Sequence, residues 1–177
     1  MKPTTLVFVR RDDGAVLLGK KRRGFGVDKW NGFGGKVRSG ESLRQAAVRE
    51  LQEEAGLIVQ PEHLVLTGHL QFRFEEHPEL NHPATIYIAD LYEGLPKPTE
   101  EMEPKWFYPN AVPYEEMWSG DHLWLPQLLT GHAIKGMILF AEDQEEIIAF
   151  ELREADGRNG AEVVLSERRT LRRDVVG

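Results

Sequence analysis

The sequence predicts an α/β fold, in which a mixed β-sheet is packed between helices. Three observations support this class. Segments with the apolar pattern of strands recur along most of the chain, two segments have the spacing and end signals of helices, and strands precede, separate and follow those helices. The length of 177 residues suits one domain with a substantial core. We therefore expect one domain over residues 1–155, followed by a polar and basic tail or oligomerisation element over 156–177.

The first elements are predicted to be a β-hairpin and a glycine-rich loop. Strands are expected over Thr4–Val9 and Ala15–Lys20, because both segments are apolar and the residues between them favour a turn. The segment 20–35 has five glycines among sixteen residues. Because glycine lets the backbone pass close to another group, this segment is expected to be a loop.

The first helix is expected between Ser42 and Gly56. Ser42 is a favourable N-cap, and Gln45, three residues later, completes a capping box. Gly56 suits the left-handed position that ends many helices. An apolar stripe with helical spacing should face the core, and it consists of Leu43, Ala47 and Leu51.

The rest of the chain is predicted to add five strands and a second helix. The strands are expected over residues 64–74, 84–92, 103–108, 136–140 and 145–154, with the last two forming a hairpin. The helix is expected over Asp121–Thr130 and should end at Gly131, with Pro126 in its first turns. The tail is basic because it contains Arg168, Arg169, Arg172 and Arg173.

Composition and charge exclude several classes of function. The formal net charge of -7 argues against a protein that coats a nucleic-acid polymer, although a metal ion can still join an acidic site to a small phosphorylated ligand. The absence of cysteine excludes disulfides, zinc thiolate sites and a thiol nucleophile. The N-terminal apolar run is too short for a secretion signal, and no apolar segment has membrane-spanning length. We expect a cytoplasmic protein without a membrane partner.

Three glutamates, Glu50, Glu53 and Glu54, are crowded onto one turn of the first predicted helix. At 100° per residue they project within about a third of the circumference, beside the apolar stripe. The spacing alone leaves two interpretations open. One is a solvated acidic face, where repulsion costs only about 0.2–0.5 kcal/mol per pair. The other is a site for a hard cation such as Mg²⁺, which binds carboxylates together with water and phosphate oxygens.

A longer pattern surrounds these glutamates. Its fixed positions are Gly35, Glu41, Arg49, Glu50, Leu51, Glu53, Glu54, Gly56 and Leu57. This pattern resembles the signature of the Nudix hydrolase superfamily. The resemblance implies the Nudix fold and an enzyme that hydrolyses nucleoside diphosphates linked to another group, with Mg²⁺ or Mn²⁺ as cofactor.

The resemblance also implies roles for individual residues. Metal ligands would be Glu50, Glu53 and Glu54 together with the carbonyl of Gly34. Arg49 would orient the glutamates, and Glu41 would support the junction of loop and helix. Glu101 is a candidate ligand or base from a later loop, and the sequence leaves open that it is only a solvated acid. The sequence also leaves open which glutamate accepts the proton of the attacking water.

A closer resemblance covers about residues 4–156. It is to the oxidised-purine nucleoside triphosphatases, which convert substrates such as 8-oxo-dGTP to the monophosphate and pyrophosphate and so cleanse the nucleotide pool. By this resemblance the base pocket would be lined by Phe25, Asn31, Phe72, Phe74, Met102 and Trp118, with Lys21 near the sugar or phosphates. Each residue also has a purely structural interpretation, such as core packing for Phe72 and Phe74 or a turn for Asn31.

One departure from this group lies after Trp118. The group has two adjacent aspartates there, whereas this chain has Ser119, Gly120 and Asp121, so Gly120 replaces one acid and Asp121 remains. We expect Asp121 and Asn31 to hydrogen-bond a purine. Alternatives are a Nudix hydrolase of dinucleoside polyphosphates, nucleotide sugars or prenyl diphosphates, and a non-catalytic binding module. The expected partner is a small nucleotide, and the chain is expected to be a monomer or homodimer.

Overall fold

The computed structural model describes residues 1–155 and 164–165, and its described part contains one mixed sheet of ten strands. The strands are β1 Thr4–Arg10, β2 Val16–Lys21, β3 Trp30–Asn31, β4 Phe33–Lys36, β5 Leu64–Phe74, β6 His82–Ala89, β7 Met102–Phe107, β8 Ile134–Phe140, β9 Ile147–Glu154 and β10 Val164–Leu165. The helices are α1 Leu43–Ala55 and α2 Asp121–Leu129. The strand order is β10-β9-β8-β5-β6-β1-β2-β3, with β4 also paired to β1 and β7 to β2.

The two faces of this sheet are covered by different helices. Along β1, Phe8 points into a core cluster that contains Trp124 and Leu128 of α2. Its neighbour Val7 points into a second cluster that contains Leu51 of α1. Because alternate residues of a strand face opposite sides, one strand serves both cores. The pairs β1–β6 and β5–β8 are parallel and the remaining pairs are antiparallel, so the predicted mixed sheet between helices is confirmed.

Helix α1 begins and ends where the sequence predicts. The hydroxyl of Ser42 accepts a hydrogen bond from the backbone N–H of Gln45, whose side chain in turn accepts from the N–H of Ser42. Gly56 closes the helix in a left-handed conformation with φ of 71°. Of the predicted apolar stripe, Ala47 and Leu51 are fully buried. The two caps therefore fix the residues at which α1 begins and ends.

The prediction of a single glycine-rich loop over residues 20–35 is wrong for its second half. Strands β3 and β4 lie there, and Gly34 pairs with Leu6 of β1. A side chain at Gly34 would place its Cβ 1.8 Å from the backbone oxygen of Thr5. The glycines here allow neighbouring strands to pack closely. Composition alone does not distinguish such a glycine-rich strand from a glycine-rich loop.

Other predicted boundaries shift by a few residues. Strand β6 begins at His82 rather than residue 84, so part of the predicted turn-rich connection is strand. Strand β8 begins at Ile134 rather than residue 136. Helix α2 ends at Leu129, and Gly131 follows in a left-handed conformation. The predicted terminal hairpin is confirmed as the antiparallel pair β8–β9.

The predicted tail over 156–177 lies mostly outside the described residues, as do its four arginines. Its one described part, β10, pairs antiparallel with β9 through Val164 opposite Arg153. The division at residue 155 and the suggested role of the tail stay predictions. Among the described residues, no helix combines the length and the apolar character that crossing a membrane requires.

Candidate active site

Arg49 is the centre of an ion-pair network at the start of the candidate site. Its Nε lies 2.5 Å from Glu41 Oε1, and its Nη2 donates to Glu41 Oε2 at 2.9 Å. Its Nη1 donates to Glu50 Oε1 at 2.8 Å and to Glu53 Oε2 at 3.2 Å. The backbone N–H of Arg38 also donates to Glu41, at 2.9 Å. Because of these bonds, and of that with Arg49 above all, the pKa of Glu41 is lowered to about 2.

The three glutamates of α1 differ in their surroundings. Glu50 is 15% exposed, whereas Glu53 is 47% exposed and also pairs with Arg38 Nη2 at 3.3 Å. Glu54 is buried, and its Oε2 accepts from the N–H of Gly34 at 3.2 Å. Burial, followed by the negative charge of Glu50, raises the pKa of Glu54 to about 8. Exposure to solvent therefore decreases from Glu53 through Glu50 to Glu54.

Glu101 lies close to this surface, as the sequence suggested for a loop acid. Its negative charge contributes to raising the pKa of Glu54, and the ammonium of Lys21 acts on both glutamates in the opposite direction. Glu101 Oε1 accepts a hydrogen bond from Arg23 Nε at 3.0 Å, which is the main reason why the pKa of Glu101 is lowered. Glu101 therefore lies near Glu54 and is paired with Arg23.

The side chains present fit a divalent cation. All candidate donors are hard oxygens, as Mg²⁺ and Mn²⁺ prefer. Gly35 leaves space beside Glu50, because a Cβ at position 35 would lie 2.6 Å from Glu50 Oε1. Across the described chain, no three acidic or histidine side chains are already gathered as a metal cluster. Arg49 and Gly34 hold the glutamates in other hydrogen bonds instead, so ligation by Glu50, Glu53, Glu54, Glu101 and Gly34 stays a prediction.

A cavity of about 770 Å³ lies next to the glutamates. Its lining includes every residue that the sequence suggested for substrate: Lys21, Phe25, Asn31, Phe72, Phe74, Met102, Trp118 and Asp121. Gly34 lines it too, which places the cavity beside the partner of Glu54. A cavity of this size is typical of pockets that bind drug-sized ligands, and a nucleotide is of similar size.

Aromatic rings form one wall of the cavity. The rings of Phe25 and Trp118 lie 4.9 Å apart, and Phe25 meets Phe74 edge-on at 6.2 Å. Phe74 stacks on Phe140 at 5.1 Å, which anchors the wall to the core. Phe25 is 50% exposed, although it is large and apolar. An exposed ring beside a cavity is available to stack on a planar ligand.

The lining of the cavity includes buried polar side chains with free bonding capacity. Asp121 Oδ2, Trp124 Nε1 and Thr5 Oγ1 are buried without a hydrogen bond of normal geometry, and all three residues line the cavity. Complete burial raises the pKa of Asp121 to about 8, while the nearby Lys29 and the side chain of Trp124 act to lower it. Incompletely bonded buried polar groups are costly, so these residues suit a polar ligand edge.

Asn31 also has bonding capacity towards the cavity. Its Oδ1 accepts from the N–H of Gly32 at 2.8 Å, but Asn31 belongs to strand β3 and pairs with Gly19, so the interpretation as a turn former is wrong. Its amide nitrogen makes no hydrogen bond to any other described residue. Asn31 lines the cavity, and its hydrogen bond to a purine stays a prediction.

Sequence reasoning missed several lining residues. They include Thr5, Lys29, Lys36, Asn81, His82, Trp124 and Phe140. Trp124 and Phe140 have the pattern of core residues, and they are buried in the core as well as lining the cavity. Asn81 and His82 belong to the segment predicted as a turn-rich connection. Only Lys29, inside the glycine-rich segment, carried a signal that could have found it.

The comparison with protein families decides the classification of this site. A family model described as the NUDIX domain matches residues 1–128. The chain belongs to the Nudix family. The oxidized purine nucleoside triphosphate hydrolase of Mus musculus is 45% identical over 152 residues, covering 86% of this chain and 94% of that protein. The protein of the same name from Danio rerio is 44% identical over 155 residues, covering 88% and 96%.

Solved structures agree with the Nudix fold. A MutT protein from Bacillus halodurans superimposes with a TM-score of 0.73 at 26% identity, covering 86% of this chain and 97% of that chain. The family resemblance predicted from Gly35–Leu57 is confirmed, and the enzyme class predicted with it, a hydrolase of phosphoric anhydrides, is that of Nudix hydrolases. Nudix hydrolases generally require a divalent cation. The oxygen donors beside Gly35 are consistent with that requirement.

Proposed function

We propose that this Nudix protein hydrolyses oxidised purine nucleoside triphosphates, such as 8-oxo-dGTP, to the monophosphate and pyrophosphate. One observation carries the proposal: Lys21 lines the cavity and also acts electrostatically on Glu54 and Glu101. A nucleotide whose base occupies the cavity therefore has its phosphates next to the glutamates. The names of the two relatives from Mus musculus and Danio rerio support the same substrate class.

The glutamates are proposed to hold Mg²⁺, with Mn²⁺ as a substitute. The cation would neutralise charge on the phosphate oxygens and position a water molecule. The protein residues prepare this arrangement: Arg49 fixes the directions of Glu50 and Glu53, and the N–H of Gly34 fixes Glu54. Water then adds to one phosphorus of the bridge between the α- and β-phosphates, a carboxylate of the site accepts the proton of this water, and the bridging P–O bond breaks to release pyrophosphate.

The buried carboxyl of Asp121 is proposed to read the base. Guanine presents two acceptors, O6 and N7, on its major-groove edge. Oxidation at C8 places a hydrogen on N7, so this edge then has one acceptor and one donor. A neutral carboxyl offers one O–H donor and one carbonyl acceptor, which complement that pair. At neutral pH the pKa of about 8 keeps Asp121 in this neutral form.

The aromatic wall would bind the base by stacking. Phe25 and Trp118 both line the cavity, and stacking on an aromatic ring contributes about 1–3 kcal/mol per base. Stacking does not distinguish one base from another. Selectivity is therefore assigned to the polar lining residues Asp121 and Asn31.

A panel of nucleoside triphosphates tests this function. The panel contains 8-oxo-dGTP, 2-hydroxy-dATP, dGTP, dATP and dTTP, each with Mg²⁺, and separate assays measure pyrophosphate and phosphate. We expect pyrophosphate from the oxidised purines, with kcat/KM at least about tenfold above dGTP, because one matched hydrogen bond contributes about 0.5–1.5 kcal/mol and a mismatched one costs more. Release of phosphate alone, or equal rates for dGTP and 8-oxo-dGTP, would contradict the proposal.

A further inference from the structure

The turn between β8 and β9 has a defined geometry. The side chain of Asp143 accepts hydrogen bonds from the backbone N–H groups of Glu145 and Glu146, both at 2.9 Å. The N–H of Ala141 donates to the oxygen of Glu146 at 2.8 Å, which closes the turn. An aspartate that bonds to the backbone two and three residues ahead stabilises a turn locally. The turn therefore presents Glu145 in a fixed direction.

Glu145 contacts Lys29, which lines the cavity, and Ser119, which follows the lining residue Trp118 in the chain. Its Oε1 lies 2.7 Å from Nζ of Lys29, and its backbone oxygen accepts a hydrogen bond from the hydroxyl of Ser119. Lys29 belongs to the glycine-rich segment, and Ser119 precedes helix α2. One residue of the turn thus joins three segments that are far apart in sequence.

Both contacts lead to Trp118. Nζ of Lys29 lies 5.0 Å from the centre of the Trp118 ring, within the range of a cation–π interaction. Ser119 follows Trp118 directly in the chain. Gly26 also approaches Trp118 closely, because a Cβ at position 26 would lie 3.1 Å from the indole ring. The ring therefore contacts Gly26 and Lys29, and the residue that follows it, Ser119, is bonded to Glu145.

We propose that Glu145 is a positioning residue for base recognition, which acts through Lys29 and Ser119 to hold Trp118 in place as the stacking wall. This inference rests on the proposed function, because it assigns the cavity to a purine base. Glu145 does not line the cavity, whereas Lys29 and Trp118 do. It is therefore expected to affect binding of the base and to leave the hydrolytic step unchanged.

The charge of Glu145 has a second consequence, at Asp121. Among the titratable groups, Lys29 lowers the pKa of Asp121, and Asp121 in turn adds to the effect of burial that raises the pKa of Tyr114. Glu145 pairs with Lys29 and so offsets the positive charge that Asp121 experiences. Removing the negative charge of Glu145 should lower the pKa of Asp121. A variant without it should lose recognition of the base at a lower pH than the wild type does.

The matched variants are Glu145→Gln and Glu146→Gln. Both remove one carboxylate from the same turn, but the side chain of Glu146 has no ion-pair partner in the described chain. With 8-oxo-dGTP, E145Q is expected to raise KM about two- to fivefold, as for a partly exposed ion pair, with kcat within about 1.5-fold. The alkaline limb of its kcat/KM profile should shift to lower pH. E146Q should match the wild type in both respects.

Further outcomes separate this inference from the proposed function. If wild-type protein does not hydrolyse 8-oxo-dGTP, the proposed function is wrong and the inference is overturned with it. If the wild type is active and E145Q equals E146Q in KM and pH profile, only the inference is overturned. An equal fall of kcat and kcat/KM in E145Q would also overturn it, because that pattern indicates loss of an interaction made only in the transition state and not of base binding. Ser119→Ala should change KM in the same direction as E145Q.

Discussion

Nε of Arg49 lies 2.5 Å from Oε1 of Glu41, and this pair joins the loop before α1 to the face that carries the glutamates. The same guanidinium donates to Glu50 and Glu53. Three carboxylates share one arginine that is only 17% exposed. The planar fork of arginine suits such multiple pairing, which the single ammonium of lysine cannot reproduce.

Replacing Arg49 by lysine is therefore expected to lower kcat about 10- to 100-fold, the usual cost of losing a residue that orients metal ligands. The affinity for nucleotide should change less, because the cavity is intact. Steady-state kinetics with 8-oxo-dGTP at saturating Mg²⁺ measure both. Arg11→Lys is the matched control, since Arg11 makes an exposed bidentate pair with Asp13 at the β1–β2 turn. Equal activity of the two variants would contradict the assigned role of Arg49.

Two neighbouring glycines should respond differently to alanine. At Gly35 the added Cβ meets the end of the Glu50 side chain at 2.6 Å, so the carboxylate must move while the backbone stays. Gly35→Ala should lose activity about tenfold or more, with a small change in melting temperature. At Gly34 the Cβ meets backbone of Thr5 at 1.8 Å, so Gly34→Ala should destabilise the protein by more than about 2 kcal/mol. Thermal unfolding and kcat, measured for both variants, check this contrast.

The sequence was sufficient for elements whose signals are local. The capping box of Ser42 and Gln45 and the stop at Gly56 lie within α1, and both are present as predicted. The role of the glycines at 32–35 could not be predicted, because it depends on β1 lying against β4. The same holds for Glu145, whose partners Lys29 and Ser119 are distant in sequence. Tertiary contacts of this kind leave no periodic pattern.

The buried carboxyl of Asp121 should make stability depend on pH. Its folded pKa of about 8 lies above the ordinary value of 3.8. Below about pH 4 the group is protonated in both states, whereas between 4 and 8 only the folded state keeps the proton, so stability falls as pH rises. The Asp121→Asn variant lacks this titrating carboxyl. Its free energy of unfolding relative to wild type should therefore rise between pH 4 and 8, by at most about 1.4 kcal/mol per pH unit.

Urea unfolding of both proteins across this pH range measures the difference. Other groups, including Glu54, titrate equally in the two proteins and cancel in the comparison. Parallel curves would show that Asp121 is ionised in the folded protein at neutral pH, which would remove the basis for its role as a hydrogen-bond donor to the base.

Gly120 stands where the oxidised-purine group that the sequence resembles has an aspartate next to the counterpart of Asp121. Gly120→Asp should therefore change substrate preference. The φ of -81° suits any residue, but a Cβ would lie 3.1 Å from Cδ1 of Ile138. We expect a loss of stability of about 1–3 kcal/mol from crowding. We also expect a two- to tenfold change in the ratio of kcat/KM for 2-hydroxy-dATP to that for 8-oxo-dGTP, about the contribution of one hydrogen bond.

Gly120→Ala is the control for this substitution, because it adds the crowding without the carboxyl. It should lose a similar amount of stability and keep the wild-type ratio of the two substrates. If alanine and aspartate shift the ratio equally, packing against Ile138 rather than the carboxyl sets the preference.

The most direct measurement is pyrophosphate release from 8-oxo-dGTP with saturating Mg²⁺, by wild-type protein and by Glu54→Gln. Glu54 belongs to the face proposed to hold the cation, and Glu62→Gln removes an exposed glutamate elsewhere as the control. We expect one pyrophosphate per 8-oxo-dGMP, a loss of at least about 100-fold in E54Q and unchanged activity in E62Q, because cation binding contributes several kcal/mol. Undiminished release by E54Q would show that Glu54 does not hold the cation that hydrolysis requires.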